Sequence, residues 1–182
     1  MSAKNAVTDY LSKASSLITG MSSTVVVDIT EEFLRCFESG GKVLLCGNGG
    51  SATDASHFAG ELVGRFRRER PAMAAVALTT DTAAITAIAN DYGYENIFSR
   101  QIEAIGRKGD ILVAISTSGT SSNVLNAAKT ARESGLTVVA FTSELCGNAD
   151  WADLHWRSNT SITSHTQEQM LMVFHAICSG LE

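Results

Sequence analysis

The sequence predicts an α/β protein in three layers: a mostly parallel five-stranded sheet with helices on both faces, led by an N-terminal helical arm. Three observations carry this. Short apolar runs alternate with helix-length segments from residue 42 onward. Two of those runs end in small-residue loops that open into helices. Residues 4–39 instead repeat their apolar positions at helical spacing. Parallel strands need crossover connections, usually helices, so the alternation builds a sheet covered on both faces.

In chain order, Val7, Tyr10, Leu11, Ala14, Leu17 and Ile18 form a helical stripe that Gly20 breaks. Val26, Ile29, Phe33, Cys36 and Phe37 mark a second stripe, ending at Gly40–Gly41. Val25–Val27 is poor helix material by propensity. The arm can hide its stripe on its own domain or against a second subunit, and the expectation is an oligomer. Val43–Cys46 is the first strand, and a helix over Ala52–Phe66 follows, closed off with the help of Pro71, the only proline. Ala75–Leu78 is the second strand. Thr79–Thr80–Asp81 starts a helix over Ala83–Asn90, and another lies around Ile97–Ile105. Asp110–Ile115 is the third strand. A Ser/Gly loop leads into a helix that runs to Ser134, where Gly135 stops it. Leu136–Phe141 is the fourth strand, Asp153–Arg157 a short fifth, and His165–Leu181 the last helix. The expectation is one domain over 1–182, with an oligomerisation arm at 1–40 and the α/β core at 41–182.

Composition narrows the function. At 182 residues, 45% hydrophobic and 18% charged, the chain can bury a sizeable core. Its 14 basic and 19 acidic residues give a net charge of −5, which disfavours nucleic-acid binding. The Arg65–Arg70 cluster reads mostly as a solvated face. No apolar run approaches the ~18 residues of a membrane span, and the N-terminus lacks a charged-then-apolar signal, so a cytoplasmic protein is expected. Cys36, Cys46, Cys146 and Cys178 are scattered; the first, second and fourth sit in apolar patterns and read as buried thiols, without disulfides.

The two loops carry the chemistry. Gly47–Asn48–Gly49–Gly50–Ser51 lacks a P-loop lysine, which argues against nucleoside triphosphate hydrolysis. Gly47, Gly49 and Ala52 fit G-x-G-x-x-A, a weak dinucleotide signal, and the only candidate ribose acid, Asp81, lies too far on. A plain tight turn is the third option. Ser116–Thr117–Ser118–Gly119–Thr120–Ser121–Ser122 places six hydroxyls between a strand and a helix. One of them would suffice as a helix cap; the excess suits a phosphate, which accepts several hydrogen bonds from hydroxyls and from helix N-terminal N–H groups. Two such loops on neighbouring strands would face one crevice.

The segments GNGGSATDASHFAGELVGRF, LTTDTAAITAIANDYGYENIFSRQ, GDILVAISTSGTSSN and TQEQMLMVFH together resemble the sugar isomerase (SIS) domain family. The resemblance covers nearly all of the chain from residue 42, and the helical arm suits it. It implies a flavodoxin-like SIS fold and an aldose–ketose isomerase acting on sedoheptulose 7-phosphate, with D-glycero-D-manno-heptose 7-phosphate as product. It also implies a homotetramer with active sites at subunit interfaces. Residue by residue, Glu61 and His175 match the acid/base pair. His57, Glu61, Gln167 and His175 match residues that bind zinc in some members, one ion per subunit. Ser51, Ser116, Ser118 and Ser121 match phosphate-binding serines, while Asn48, Arg65, Asp91 and Thr117 match polar positions lining the sugar site, with Gln167 also at the substrate.

His57 and Glu61 lie four residues apart, on one face of a helix. Gln167 and His175 lie eight apart, about 80° around the last helix. On residues alone, His175 reads as readily as a core histidine; the resemblance reverses that. Isomerisation moves a proton between carbons 1 and 2 through an enediol and needs a base at carbon and an acid at oxygen. Three positions depart from the family pattern: His165, where Arg is frequent; Met170, where a second His is common; and Gly60. The first two are expected near the active site, which leaves room for a related C7 or C8 ketose phosphate. Relatives that only bind a sugar phosphate or a replication initiator protein form the other class. The initiator binders lack the Glu/His pair.

Overall fold

The computed structural model describes residues 2–182. Two helices lead the chain, α1 (Ala3–Thr19) and α2 (Thr24–Glu38). Then come β1 (Val43–Gly47), α3 (Gly50–Val63), β2 (Ala75–Ala77), α4 (Thr82–Tyr92), α5 (Ser99–Ile105) and β3 (Ile111–Ile115). The chain ends with α6 (Ser122–Glu133), β4 (Thr137–Thr142), β5 (Leu154–Arg157) and α7 (Thr163–Gly180). All strand pairs are parallel, in the order β2-β1-β3-β4-β5. The order turns back between β1 and β3, and that reversal opens a crevice at their carboxyl ends.

Two-residue alternation splits the core. Leu45, Val113, Val139 and Phe141 face α2, α3 and α7. Leu44, Leu112, Ala114 and Val138 face the layer of α5 and α6, with Ile85 and Ile88 of α4 packed at its margin. Phe58 stacks on Phe174 at 4.5 Å and lies 5.8 Å from Phe33, and Phe174 meets Phe141 edge-on at 4.9 Å. Each such pair adds about 1 kcal/mol beyond its buried area. The run fastens α2, α3 and α7 to the sheet. Tertiary burial of Val26 and Ile29 thus outweighs the weak helix propensity of Val25–Val27.

The first helix stands apart. Val7 and Leu11 of its apolar stripe are 60% and 63% exposed. It touches the body through buried Leu17, whose carbonyl accepts from Asn159, and through Tyr10, whose ring packs 4.3 Å from that of His165.

The expected elements are present, with shifted ends. The helix expected at Ala52–Phe66 begins at Gly50 and stops at Val63. Pro71 lies eight residues beyond that end, and its carbonyl accepts from Arg70. Gly64 leaves helical geometry, and the Arg70 guanidinium takes the carbonyls of Glu61 and Leu62. Arg70 is therefore a half-buried helix cap, while Arg65, Arg67 and Arg68 are exposed. All four cysteines are free thiols; burial pushes Cys46 and Cys178 up to about 12 and Cys36 to about 11. No helix among the described residues is long and apolar enough to cross a membrane.

Candidate active site

Register sets the site. Gly47 of β1 pairs with Ile115 of β3, so both small-residue loops leave the sheet side by side. Gly47 is required by contact: a β-carbon there would sit 2.8 Å from the Ser51 backbone oxygen. Gly49 holds φ +56, a conformation only glycine adopts freely, and this lets α3 start at once. Ser51 and Ser116 are buried in the crevice walls. The Ser116 hydroxyl donates to Ser121 Oγ at 3.1 Å, while Ser118 Oγ accepts from the Thr120 N–H. Ser121 holds the cap position of α6 without a side-chain cap bond. Its hydroxyl therefore serves the loop, and the helix N-terminus keeps its N–H groups for an anion. Thr117 anchors the loop: its carbonyl accepts from the Ser143 N–H and hydroxyl.

An amide pair joins the two loops. Asn48 donates to Asn123 Oδ1 at 2.9 Å, and Asn123 donates back to Asn48 Oδ1 at 2.8 Å. The Tyr94 hydroxyl also donates to Asn48 Oδ1. Asp81 accepts from the Ala84 N–H as the cap of α4, which removes the candidate ribose acid of a dinucleotide site.

The catalytic candidates meet where α3 packs on α7. His57 Nε2 lies 3.2 Å from His175 Nε2 and 3.4 Å from Glu61 Oε1. Ligand atoms of His57, Glu61 and His175 all fall within 4.8 Å of one another, a spacing that one metal ion could bridge. Phe66 stacks on the His175 ring at 5.3 Å. Gln167 lies against the first turn of α3, where a β-carbon at Gly50 would collide with its amide. Asp54, one turn before His57, has a buried carboxylate oxygen without a partner, and desolvation raises its pKa.

Two sequence candidates stay apart from this cluster. Arg65 is exposed and makes its polar contacts with the Arg67 carbonyl and Glu69. Asp91 is exposed and accepts from Asn90. The two departures also differ from expectation. Met170 is fully buried in the apolar core, and His165 is buried with Nδ1 2.8 Å from Glu168 Oε2. Neither joins the His57–Glu61–His175 group. Sequence reasoning missed Asn123, Tyr94 and Phe66. Asn123 closes the GDILVAISTSGTSSN run, and its place in the first turn of the helix after the Ser/Gly loop was the available signal. Phe66 ends the GNGGSATDASHFAGELVGRF run and Tyr94 lies within the LTTDTAAITAIANDYGYENIFSRQ run, but no spacing tied either to the site.

A family model described as "SIS domain" matches residues 9–143. The chain belongs to the SIS domain family. Among relatives, a phosphoheptose isomerase from Roseiflexus sp. (strain RS-1) is 49% identical over 159 residues, covering 87% of this chain and 81% of the relative. The structure of phosphoheptose isomerase GmhA from Neisseria gonorrhoeae superposes with a TM-score of 0.90 at 39% identity, covering 99% of this chain and 98% of that one. A phosphoheptose isomerase from Francisella tularensis gives a TM-score of 0.92 at 32% identity, with 100% and 98% covered. The all-parallel SIS sheet with helices on both faces agrees with the α/β class read from the sequence.

Proposed function

We propose that this SIS domain protein is a phosphoheptose isomerase, converting sedoheptulose 7-phosphate to D-glycero-D-manno-heptose 7-phosphate. The observation that carries the reading is the meeting of Glu61, His57 and His175 beside a crevice walled by two phosphate-type loops. The similarity to phosphoheptose isomerases over most of both chains supports the substrate.

Ser51, Ser116, Ser118 and Ser121, with the N-termini of α3 and α6, hold the phosphate. Asn48, Thr117, Gln167, Arg65 and Asp91 line the sugar. Glu61 takes a proton from carbon 1, exchanges it with solvent and delivers one to carbon 2. His175 moves a proton between the two oxygens, which turns the ketose into the aldose through an enediol. The donor set of two imidazoles and a carboxylate suits zinc, and His57, Glu61, Gln167 and His175 would hold it, one ion per subunit. When bound, zinc would polarise the substrate carbonyl and stabilise the negative charge that develops on oxygen.

The exposed Val7–Leu11 stripe supports a homotetramer, as does the exposure of Arg65 and Asp91, two site candidates that a neighbouring subunit would complete. Four free thiols, together with a charged substrate that membranes retain, support a cytoplasmic location. Replacing Glu61→Gln keeps the shape and removes the base. Turnover is expected to fall by about 10³-fold or more with the circular dichroism unchanged. Near-normal turnover in that variant would rule out Glu61 as the base.

A further inference from the structure

We infer that Glu182 is a positioning residue for the reaction, its carboxylate holding in place both groups that move protons. The inference rests on the isomerase reading for its kinetic part only.

Three consecutive backbone N–H groups converge on this side chain. Oε1 accepts from Phe66 and Arg67, and Oε2 accepts from Arg67 and Arg68, all at 3.0 Å. Such a row of amides makes a concave anion site. Glu182's side chain is only 4% exposed, and Arg70 Nε lies 3.7 Å away. Burial opposes ionisation here, but the three amides and Arg70 outweigh it and hold the carboxyl below its ordinary range.

Two connections run from this point to the cluster. Arg70 donates to the Glu61 carbonyl at 2.8 Å and to the Leu62 carbonyl at 3.0 Å, which fixes the last turn of α3. Phe66, whose N–H is held by Glu182, lays its ring on His175. The carboxylate thus ties the end of α7 to the loop after α3, and the proposed base and acid lie on those two helices. An error of about 1 Å in such a pair can cost a hundredfold in rate. A residue that merely fastened α7 to that loop would change melting and leave the His175 environment alone.

The test uses Glu182→Ala, Glu182→Gln and added formate, a carboxylate small enough for the vacated amides. In Glu182→Ala, kcat is expected to fall at least about tenfold with KM within about twofold. The upfield ring-current shift that Phe66 imposes on the His175 ring protons, read by NMR and assigned against His175→Asn, should be lost. Formate should restore both in a saturable way. Glu182→Gln keeps one acceptor oxygen in the same shape, should lie between, and serves if the alanine variant fails to fold. Unchanged His175 resonances, or lowered melting with kcat intact, would overturn the inference. If the wild type itself does not turn over sedoheptulose 7-phosphate, the NMR arm still decides the positioning role, and the failure then belongs to the assigned reaction.

Discussion

Gly50 shows how one missing side chain serves two demands. It opens α3 directly after the positive-φ turn at Gly49, and it leaves room for the Gln167 amide. Alanine would gain up to about 1 kcal/mol of helix propensity at an interior position. That gain is small against displacing a proposed zinc ligand. Gly50→Ala is therefore expected to keep or slightly raise the melting temperature while weakening zinc affinity about ten- to hundredfold, measured by competition with a chelator. At this scale the sequence was legible where chemistry depends on spacing along one helix. His57 and Glu61 share a face because they are four apart, and the structure brings them to 3.4 Å. Asn48 and Asn123 were not legible as a pair. They are 75 positions apart and meet only because β1 lies beside β3. His165 and Met170 misled for a related reason. Their nearness to Gln167 in sequence suggested nearness to the site, but helical rotation turns Met170 into the core.

Elements were legible wherever burial repeats with a regular period. The first four strands form as short apolar runs, the fifth as a short alternating one, and each long helix follows its stripe. Helix ends were less legible, because distant groups set them. The end of α3 depends on Arg70 and, through it, on Glu182, which no local pattern near Val63 announces. This gives a pH prediction. The folded Glu182 carboxyl lies below its ordinary value of 4.5, so its contribution to stability is complete above that pH and is lost as pH falls through the folded value. In urea unfolding, the gap between wild type and Glu182→Gln should be widest above pH 4.5 and close in stronger acid. A gap independent of pH would contradict the charge-based account. The first helix makes a second prediction at this scale. Leu11 is 63% exposed on an apolar stripe. Leu11→Asp should shift the protein from the proposed tetramer to smaller species in sedimentation velocity, with loss of activity if the sites span subunits. An unchanged sedimentation coefficient would place the stripe outside the interface.

The whole molecule follows from strand order. Leaving β1 for β2 on one side and returning to β3 on the other makes two loops diverge at the carboxyl edge of the sheet, the place proposed for the phosphate. The seam of α3 and α7 carries the proposed proton-moving pair, so in this reading phosphate grip and chemistry come from one topological feature. The α/β class and the layers were legible from the alternation of runs. The switch point was not, because strand order is a tertiary choice that local pattern leaves open. The central claim is that this crevice isomerises a seven-carbon ketose phosphate. The most direct measurement is to incubate the purified protein with sedoheptulose 7-phosphate in deuterium oxide and follow the sugar by NMR. The account predicts an aldose, D-glycero-D-manno-heptose 7-phosphate, carrying solvent deuterium at carbon 2, with neither product nor exchange in Glu61→Gln. Unchanged ketose without exchange in the wild type supplied with zinc would contradict it.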